Sequence, residues 1–568
     1  MMMQPEHLTE KRYEKYKSAL RPYDYFPEIE TLDFESLAES DRVYLQDFGI
    51  FNSELEEEMF MLRVRVPGGR VGAENFKAIA ELVEKHDLTL LLTARSGMQL
   101  HGIEPENVLE LFNRINAMDG LSTWQTFGDN VRNIVTDPFD GRGRSCEIES
   151  YPIIQQLHGY FLKNPELVGM LPRRISIGIT GMRENSWPLF SNDLFFGLAE
   201  REGEKGFNVY MGGKNTEVSK PADIFLPAEE VADFARAVVE AFNRYGLREK
   251  RMKSRLFHMI EHYGMEQVKA FIGEFYGKTW CPAGKSLLRK RHFSDFEPLS
   301  DGTYGYRYRT DYGLVTPQEI RAVSDYAAKY RADVRIGIDQ QLYILGVPDK
   351  SVPFEVRDTS PTVVACAGSE YCPFSYWSIK EEAHYLPREE LAEHDIKVGF
   401  SGCLKGCGRH KHADIGIVGL RNSKFGKNDR SARIFLGCEY TKGKRPAEVV
   451  FRTIPVGEMS TMVSLLVDEY KKSGADDFEA FTANVLNRFD ESFVELFFLA
   501  RRESGADIRL DPQQDPDTLL KQFGERYYVK IAEQDGFAKA SDAIVKALWY
   551  AEEIAVVKHM DPSKRRSR

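Results

Sequence analysis

The segment GRVGAENFKAIAELVEKHDLTLLLTARSGMQLHGI, residues Gly69–Ile103, occurs twice in this chain. The second copy, GLVTPQEIRAVSDYAAKYRADVRIGIDQQLYILGV at Gly313–Val347, aligns without a gap at an offset of 244 residues. Each copy, with the strand before it, predicts a strand, an amphipathic helix and two further strands, a ferredoxin-like βαββ half-domain. Half a sheet has an open edge and an uncovered face, so we expect the two copies to pair about a pseudo-twofold axis.

A second repeat follows the first in each half of the chain. The segment SIGITG at 176–181 aligns with KVGFSG at 397–402 at an offset of 221, and at the same offset Asp193 falls on Asp414. Each of these segments predicts the start of an α/β domain. Met182 stands where Cys403 stands in the second copy, so the two copies differ in cysteine content at this position. The fold class is therefore α+β with internal duplication.

Four cysteines form two pairs in the second copy. Cys366 and Cys372 lie in CAGSEYC, and Cys403 and Cys407 lie in the glycine-rich SGCLKGCGRH. Four thiolates suit a zinc ion or an iron–sulfur cluster. The five-residue first gap is wider than the usual zinc knuckle, but spacing alone also leaves a zinc site or buried free thiols open.

The pattern C-x5-C followed by G-C-x3-C-G resembles the signature of the sirohaem nitrite and sulfite reductases. The resemblance implies that Cys366, Cys372, Cys403 and Cys407 bind a 4Fe-4S cluster. It also implies that Cys407 bridges this cluster to the iron of sirohaem, which such duplicated chains hold between their halves. It covers roughly residues 45–503.

Several polar residues match positions that the family uses at its active site. A single arginine is often only a solvated surface charge, but sirohaem carries eight carboxylates and the substrate is an anion, which a cluster of guanidinium groups suits. The resemblance implies that four residues lie on the substrate side: Arg63, Arg132, Arg174 and Ser176. It implies that four others contact the macrocycle: Arg95, Gln99, His101 and Gln340.

The substrate strand reads Pro172-Arg-Arg-Ile-Ser176. The family's sulfite reductases read P-R-K-x-K here and its ferredoxin nitrite reductases P-R-K-x-N. Ser176 removes a positive charge that would benefit a sulfite dianion more than nitrite. We therefore expect reduction of nitrite to ammonia, with sulfite reduction or dual activity as the alternative. A further alternative is an iron–sulfur electron carrier without catalysis, which would have no use for the arginines.

Composition limits the partners. The chain has 568 residues, 42% hydrophobic and 29% charged, with a formal net charge of −11, which disfavours nucleic acid as a partner. The charged start MMMQPEHLTEKRYEKY and the absence of a long apolar run predict a cytoplasmic protein without a membrane span, which we expect to be a monomer. Seven cysteines in such a chain argue against a disulfide framework.

No flavin or dinucleotide motif is present, so the electron donor should be external, and ferredoxin is the family's usual donor. An acidic ferredoxin needs a basic landing surface near the cluster. Basic residues concentrate around the second cysteine pair and are a docking hypothesis, with a solvated face as the alternative: Lys405, Arg409, Lys411, Lys424, Lys427, Lys442, Lys444 and Arg445.

The ends of the chain are less informative. Some sulfite reductases cross-link a tyrosine to a cysteine near the positions of Phe51 and Phe127, but both are phenylalanine here. A helix is expected over Ser541–Val557. The predicted units are an N-terminal arm (1–56), the first half-domain (57–128), the first α/β domain on the substrate and sirohaem side (129–298), the second half-domain (299–351), the second α/β domain with the cluster (352–503) and a helical extension (504–568).

Overall fold

The computed structural model describes residues 6–52, 55, 59–185, 187–292, 294–422, 429–489, 491–504 and 509–513. Helices and sheets both occur throughout these ranges, which confirms the expected α+β class. None of the described helices combines the length and the apolar character that a membrane crossing requires. The helix expected over Ser541–Val557 lies outside the described residues, as does most of the extension 504–568.

The two half-domains form two five-stranded sheets that exchange a strand. Arg70–Val71 of the first copy pairs with Asp333–Ile336 of the second, and Leu314–Val315 of the second pairs with Thr89–Leu92 of the first. The exchange closes one edge of each sheet with the other copy. The first sheet contains, in order, Ile50–Asn52, Phe60–Val64, Met98–Ile103, Thr89–Leu92 and Leu314–Val315. The second contains, in order, Phe296–Pro298, Tyr304–Tyr308, Leu342–Val347, Asp333–Ile336 and Arg70–Val71.

The predicted helices of the repeat, Ala73–Lys85 and Pro317–Tyr330, pack against each other. The second begins at a capping box, in which the Thr316 hydroxyl accepts from the Glu319 N–H at 3.3 Å and the Glu319 carboxylate accepts from the Thr316 N–H at 2.9 Å. One hydrophobic core is shared by both half-domains and the N-terminal arm. Its buried helical residues include Phe76, Ile79, Ile320 and Val323.

The first α/β domain is built on a mixed sheet. Ile177–Thr180 runs parallel to Leu194–Arg201, and Glu204–Met211 and Lys220–Leu226 continue the sheet in antiparallel fashion. The core lies between this sheet and the amphipathic helix Val231–Tyr245. Further elements are the strands Lys285–Ser286, Glu184–Asn185 and Arg289–Lys290, and the helices Tyr151–Phe161, Leu256–Tyr263 and Met265–Tyr276.

The second α/β domain repeats this arrangement at the offset of 221. Ile177 pairs with Leu194 in the first sheet as Val398 pairs with Ile415 in the second. The Asp193 carboxylate accepts the Ser176 N–H at 2.8 Å, and the Asp414 carboxylate accepts the Lys397 N–H at 2.9 Å. The second sheet contains, in order, Val363–Ala365, Val398–Ser401, Ile415–Asn422, Asp429–Leu436 and Glu448–Pro455, with the helices Ile379–Ala383, Arg388–Glu393, Met459–Ser473, Phe478–Asn484 and Glu491–Ser504.

The N-terminal arm is tied to the loop that leads into the first α/β domain. Buried Lys17 donates to the Asp129 carboxylate and to the Leu171 carbonyl, both at 2.7 Å. The buried Asp47 carboxylate accepts the Asn130 side-chain amide at 2.6 Å. These contacts fix the segment just before Arg132. The arm contains the helices Glu6–Ala19, Pro22–Tyr25 and Glu39–Leu45, and the first half-domain also contains Val108–Asn116.

Candidate functional site

The four cysteines lie at one edge of the second α/β sheet. Val363–Ala365 and Val398–Ser401 are parallel neighbours, so their carboxyl ends, which lead into Cys366 and Cys403, meet at the same edge. The Cys366 N–H donates to the Phe400 carbonyl at 2.9 Å, and the Gly402 N–H donates to the Cys366 sulfur at 3.0 Å. The fold therefore brings the two cysteine loops together.

The thiols act on one another electrostatically. Burial and, to a smaller extent, the neighbouring Cys407 raise the pKa of Cys366 to about 12. Burial and Cys407 also raise the pKa values of Cys372 and Cys403. Such thiols ionise readily only beside a cation, which a metal centre supplies.

The spacing of these side chains bears on the kind of centre they can hold. Within the described part of the chain, no three histidine, cysteine or acidic side chains come close enough to ligate a single metal ion. A four-iron cluster has a wider ligand shell than one ion, because each cysteine binds a different iron. Four thiols that act on one another through Cys407 are a donor set that suits such a cluster.

Two of the predicted arginines of the first half, Arg63 and Arg174, lie near Cys407, and Arg132 lies near both of them. Arg63 is on the strand Phe60–Val64, and Arg132 and Arg174 flank the start of the first α/β domain. The charge of Cys407 acts on Arg63 and Arg174, while Arg132 is repelled by Arg174, Arg63, Arg173 and Arg95. Burial and the charges of Arg255 and Arg173 lower the pKa of Arg174 to about 9. Burial and the four neighbouring arginines lower the pKa of Arg132 well below its usual range.

Two further arginines join this cluster that the sequence reasoning did not assign to it. Arg409 was placed with the surface residues of the docking hypothesis, but it is 4% exposed and donates to Ser191 at 3.1 Å and Asn215 at 2.9 Å in the first half. Arg255 precedes the helix Leu256–Tyr263, and its charge acts on Arg95, Arg174 and Arg409. The repeat offered one signal for Arg255. Asp193, which matches Asp414 at the offset of 221, is the carboxylate that Arg255 binds.

The counter-charge in this cluster is small. Asp193 accepts two hydrogen bonds from Arg255, at 2.9 and 2.6 Å, and it also acts on Arg95 and Arg174. The Nε groups of Arg95, Arg132 and Arg409 are buried without a hydrogen-bond partner in the described structure. Buried charges and donors normally need partners. The cluster is therefore built to receive a ligand with several negative charges, and the carboxylates of a sirohaem fit this demand.

The other predicted site residues have defined surroundings. The Ser176 hydroxyl donates to the Asp193 carboxylate at 2.6 Å, so it is engaged with that acid. Buried Gln340 donates to the Leu92 carbonyl and accepts the Ala365 N–H, both at 3.0 Å, just before Cys366. Arg95 donates to Asn192 at 3.0 Å.

Arg63, Gln99 and His101 are joined by a chain of hydrogen bonds, called the Arg63 relay below. In the amide orientation that satisfies all groups, the Gln99 oxygen accepts from Arg63 Nε at 3.1 Å and Nη2 at 3.2 Å, and its nitrogen donates to His101 at 3.1 Å. The His101 ring lies 4.8 Å from that of Tyr371, which adjoins Cys372. Burial and the Arg63 charge lower the pKa of His101 to about 3, so the ring is neutral near pH 7. This relay orients Arg63.

Models of known protein families match segments in both halves of the chain. The family model "Nitrite/Sulfite reductase ferredoxin-like half domain" matches residues 54–118 and 297–353. The model "Nitrite and sulphite reductase 4Fe-4S domain" matches residues 127–279, the α/β copy without the ligand cysteines. These matches cover both copies of the βαββ repeat and the first of the two α/β copies.

Relatives extend the similarity over most of the chain. A ferredoxin–nitrite reductase of Synechococcus elongatus is 29% identical over 77% of this chain and 92% of its own. One from Leptolyngbya laminosa is 27% identical over 82% and 98%. A ferredoxin sulfite reductase of Mycolicibacterium paratuberculosis is 27% identical over 64% and 71%.

A solved structure shares the fold. The Mycobacterium tuberculosis NirA protein superposes with a TM-score of 0.76 over 84% of this chain and 96% of its own, at 22% identity. The duplicated fold, the paired cysteine loops and the facing arginines thus agree with the family matches. The family models and the relatives together support placing this chain in the nitrite and sulfite reductase family of oxidoreductases.

Proposed function

We propose that this chain reduces nitrite to ammonia at a sirohaem coupled to a 4Fe-4S cluster, with electrons from ferredoxin. The observation that carries the proposal is a cluster of guanidinium groups where the two halves meet. The charge of Cys407 acts on Arg63, Arg174 and Arg409, and the buried Nε groups of Arg95, Arg132 and Arg409 have no hydrogen-bond partner in the described structure. The names of the cyanobacterial relatives support nitrite as substrate.

The cofactor sites follow from the donor set. Cys366, Cys372, Cys403 and Cys407 would hold the cluster, with Cys407 next to the sirohaem, since it is exposed although arginines face it. When bound, the two groups supply the electron transfer that carries nitrite through a six-electron reduction. Arg95, Gln99 and His101 would contact the macrocycle. Gln340 would not contact the macrocycle directly, because both ends of its amide are already hydrogen-bonded. It would instead position Ala365, the residue before Cys366.

The arginines perform the part of the reaction that the protein controls. Arg63, Arg132 and Arg174 bind the oxygens of the anion and offset the negative charge that accumulates as electrons arrive. Nitrite must also take up protons before its oxygens leave as water. Arg174 stays charged at neutral pH and can hold the oxygens of the anion while those protons are taken up.

The surroundings of Ser176 support nitrite over sulfite. The family's sulfite reductases carry a lysine at this position, whereas Ser176 binds Asp193, which in turn pairs with Arg255. This side of the cluster therefore has less net positive charge, which is a smaller loss for a monoanion than for a dianion. Sulfite reduction is the second candidate, supported by the mycobacterial relatives named as sulfite reductases.

A pure electron carrier would have no use for this arrangement. A carrier gains nothing from burying several guanidinium groups with unpartnered donors next to an exposed cysteine, since each carries a desolvation cost. The test is anaerobic incubation of the purified protein with reduced viologen and nitrite, measuring nitrite consumed and ammonium formed. Equimolar ammonium supports the proposal. An iron-loaded protein that consumes no nitrite contradicts it.

The donor would dock beside the cysteine loops. The Lys405 charge acts on Cys372 and Cys403, and its ammonium lies over the Phe374 ring. Phe374 and Leu404 are 50% and 55% exposed. A cation among exposed apolar side chains suits an acidic protein partner. Of the basic residues in the docking hypothesis, Arg409 is buried, Lys424 and Lys427 lie outside the described residues, and Lys442 and Lys444 are exposed.

The substitution Lys405→Glu tests this docking site. We expect the KM for reduced ferredoxin to rise several-fold at low ionic strength, because rim charges control encounter, while viologen-driven turnover stays unchanged. Lys329→Glu, on the exposed side of a half-domain helix, is the matched control. Equal ferredoxin KM values for Lys405→Glu and wild type would contradict docking at this surface.

We further propose a cytoplasmic location and a monomeric state. None of the seven cysteines forms a disulfide in the structure, as a reducing compartment favours.

A further inference from the structure

Two phenylalanine rings lie beside the substrate-side arginines. Phe51 is on the strand Ile50–Asn52, and Phe127 is in the loop that precedes Arg132. Their ring centroids are 4.1 Å apart with an interplanar angle of 85°, an edge-to-face pair. Both side chains are only half-buried, so part of each ring remains accessible.

Phe127 contacts both arginines through its ring. The guanidinium carbon of Arg63 is 4.8 Å from the Phe127 centroid and that of Arg132 is 5.0 Å away. Arg63 is also 5.6 Å from the Phe51 centroid. These distances are within the range of a cation–π interaction, in which the negative face of the ring attracts the cation. Phe127 is therefore a shared partner of two like charges.

The backbone next to Phe127 completes this arrangement. Arg132 donates to the Thr126 carbonyl and, at 2.9 Å, to the Gly128 carbonyl, the residues on either side of Phe127. Arg63 is held at its edge by Gln99. Since Arg63 and Arg132 repel each other, each needs several contacts to stay in place before an anion arrives.

We propose that Phe127 is a positioning residue that holds Arg63 and Arg132 side by side for the anion. Phe51, on the strand Ile50–Asn52, supports Phe127 by packing edge-to-face against its ring. This inference rests on the proposed function, because it assigns those two arginines to the substrate. It adds a residue with no charge and no hydrogen-bonding group to the determinants of anion affinity. A ring at this position should act on substrate binding and leave cofactor content unchanged.

The test compares Phe127→Leu, Phe127→Tyr and wild-type holoenzyme. Leucine fills similar space without a ring face, whereas tyrosine retains the ring. For Phe127→Leu we expect the Kd of nitrite, from spectral titration of the oxidised holoenzyme, to rise about 3- to 30-fold, with KM rising in parallel and kcat changing less. Phe127→Tyr should stay within about twofold of wild type, and Phe51→Leu should show a smaller rise.

Stability is controlled with another aromatic pair. Phe34 packs edge-to-face on Phe60 at 5.7 Å in the shared core, so Phe34→Leu should lower the thermal midpoint without changing the nitrite Kd. A Phe127→Leu enzyme with the wild-type Kd would overturn the proposal, as would a Phe127→Tyr enzyme as impaired as Phe127→Leu. Because Kd needs no turnover, a wild-type enzyme that binds nitrite without reducing it would contradict the proposed function alone. A wild-type enzyme that does not bind nitrite would contradict both.

Discussion

Arg132 and Arg409 differ in how far their surroundings follow from nearby sequence. Arg132 binds the carbonyls of Thr126 and Gly128, within six residues of itself, and its motif match identified it. Arg409 lies in a basic, cysteine-rich stretch that resembles an exposed surface, and its partners Ser191 and Asn215 are about two hundred residues away in the chain. Burial of this kind depends on how the halves meet, which composition and spacing do not reveal.

Removal of the Arg132 side chain should damage substrate handling and leave the cofactors in place. We expect Arg132→Ala to lower kcat/KM for nitrite by about 100-fold or more, because a buried donor aimed at developing charge is lost. Arg132→Lys should recover part of the activity, since it restores charge but cannot bind both carbonyls. Viologen-driven kinetics and the visible spectrum measure the two effects. An Arg132→Ala enzyme with wild-type kcat/KM would refute its role.

His412 should make the protein less stable in acid. Burial lowers its pKa from 6.5 to about 3, so the unfolded chain binds this proton first as pH falls. The free energy of unfolding must then decrease as pH falls from about 6.5 toward 3. His412→Gln, which does not titrate, should lose less stability between pH 7 and pH 5 in denaturant unfolding. His262→Gln, at an exposed site, should parallel wild type. Parallel pH profiles for His412→Gln and wild type would contradict this prediction.

At the scale of elements, the two repeats were predictable and the strand exchange was not. The offset of 244 predicted the paired half-domains, and the strands of the two sheets obey it from Phe60–Val64 with Tyr304–Tyr308 to Met98–Ile103 with Leu342–Val347. The exchanged strands Arg70–Val71 and Leu314–Val315 are two residues long, too short for a periodic pattern to indicate their partners. Their pairing is decided by the open sheet edges of the other copy.

A turn of the first half holds the cysteine loop of the second. Asn215 lies between Glu204–Met211 and Lys220–Leu226, donates to the Lys405 carbonyl at 2.8 Å and accepts from Arg409 at 2.9 Å. Lys405 lies between Cys403 and Cys407, which we propose as cluster ligands. This turn is therefore part of the scaffold of the proposed cluster, although it belongs to the other repeat.

Loss of the Asn215 side chain should loosen that loop. Each hydrogen bond of this kind contributes about 1 kcal/mol, and the buried partner is left unsatisfied. We expect Asn215→Ala to release iron to a chelator several-fold faster than wild type, measured by absorbance of the iron–chelator complex. Thr216→Ala, in the same turn, is the matched control. Identical release rates for Asn215→Ala and wild type would exclude a holding role for this turn.

On the scale of the whole molecule, duplication has produced two halves with complementary chemistry. The second copy supplies Cys366, Cys372, Cys403 and Cys407, while the first supplies Arg63, Arg95, Arg132, Arg174 and Arg255. The cysteine spacing and most of the arginines were predictable from the sequence. The role of Arg409 depends on contacts between the halves, whereas that of Arg255 depends on its pairing with Asp193, which is distant in sequence within the first half. This division places cationic side chains around the thiol that the family links to sirohaem.

The most direct test of this account is anaerobic steady-state kinetics of the purified holoenzyme with reduced viologen, comparing kcat/KM for nitrite and for sulfite. The arrangement of Ser176, Asp193 and Arg255 predicts a kcat/KM for nitrite at least about tenfold above that for sulfite, because one charge fewer weakens binding of a dianion more. A preference for sulfite would contradict the charge argument, and turnover of neither anion would contradict the assignment of this chain as a reductase.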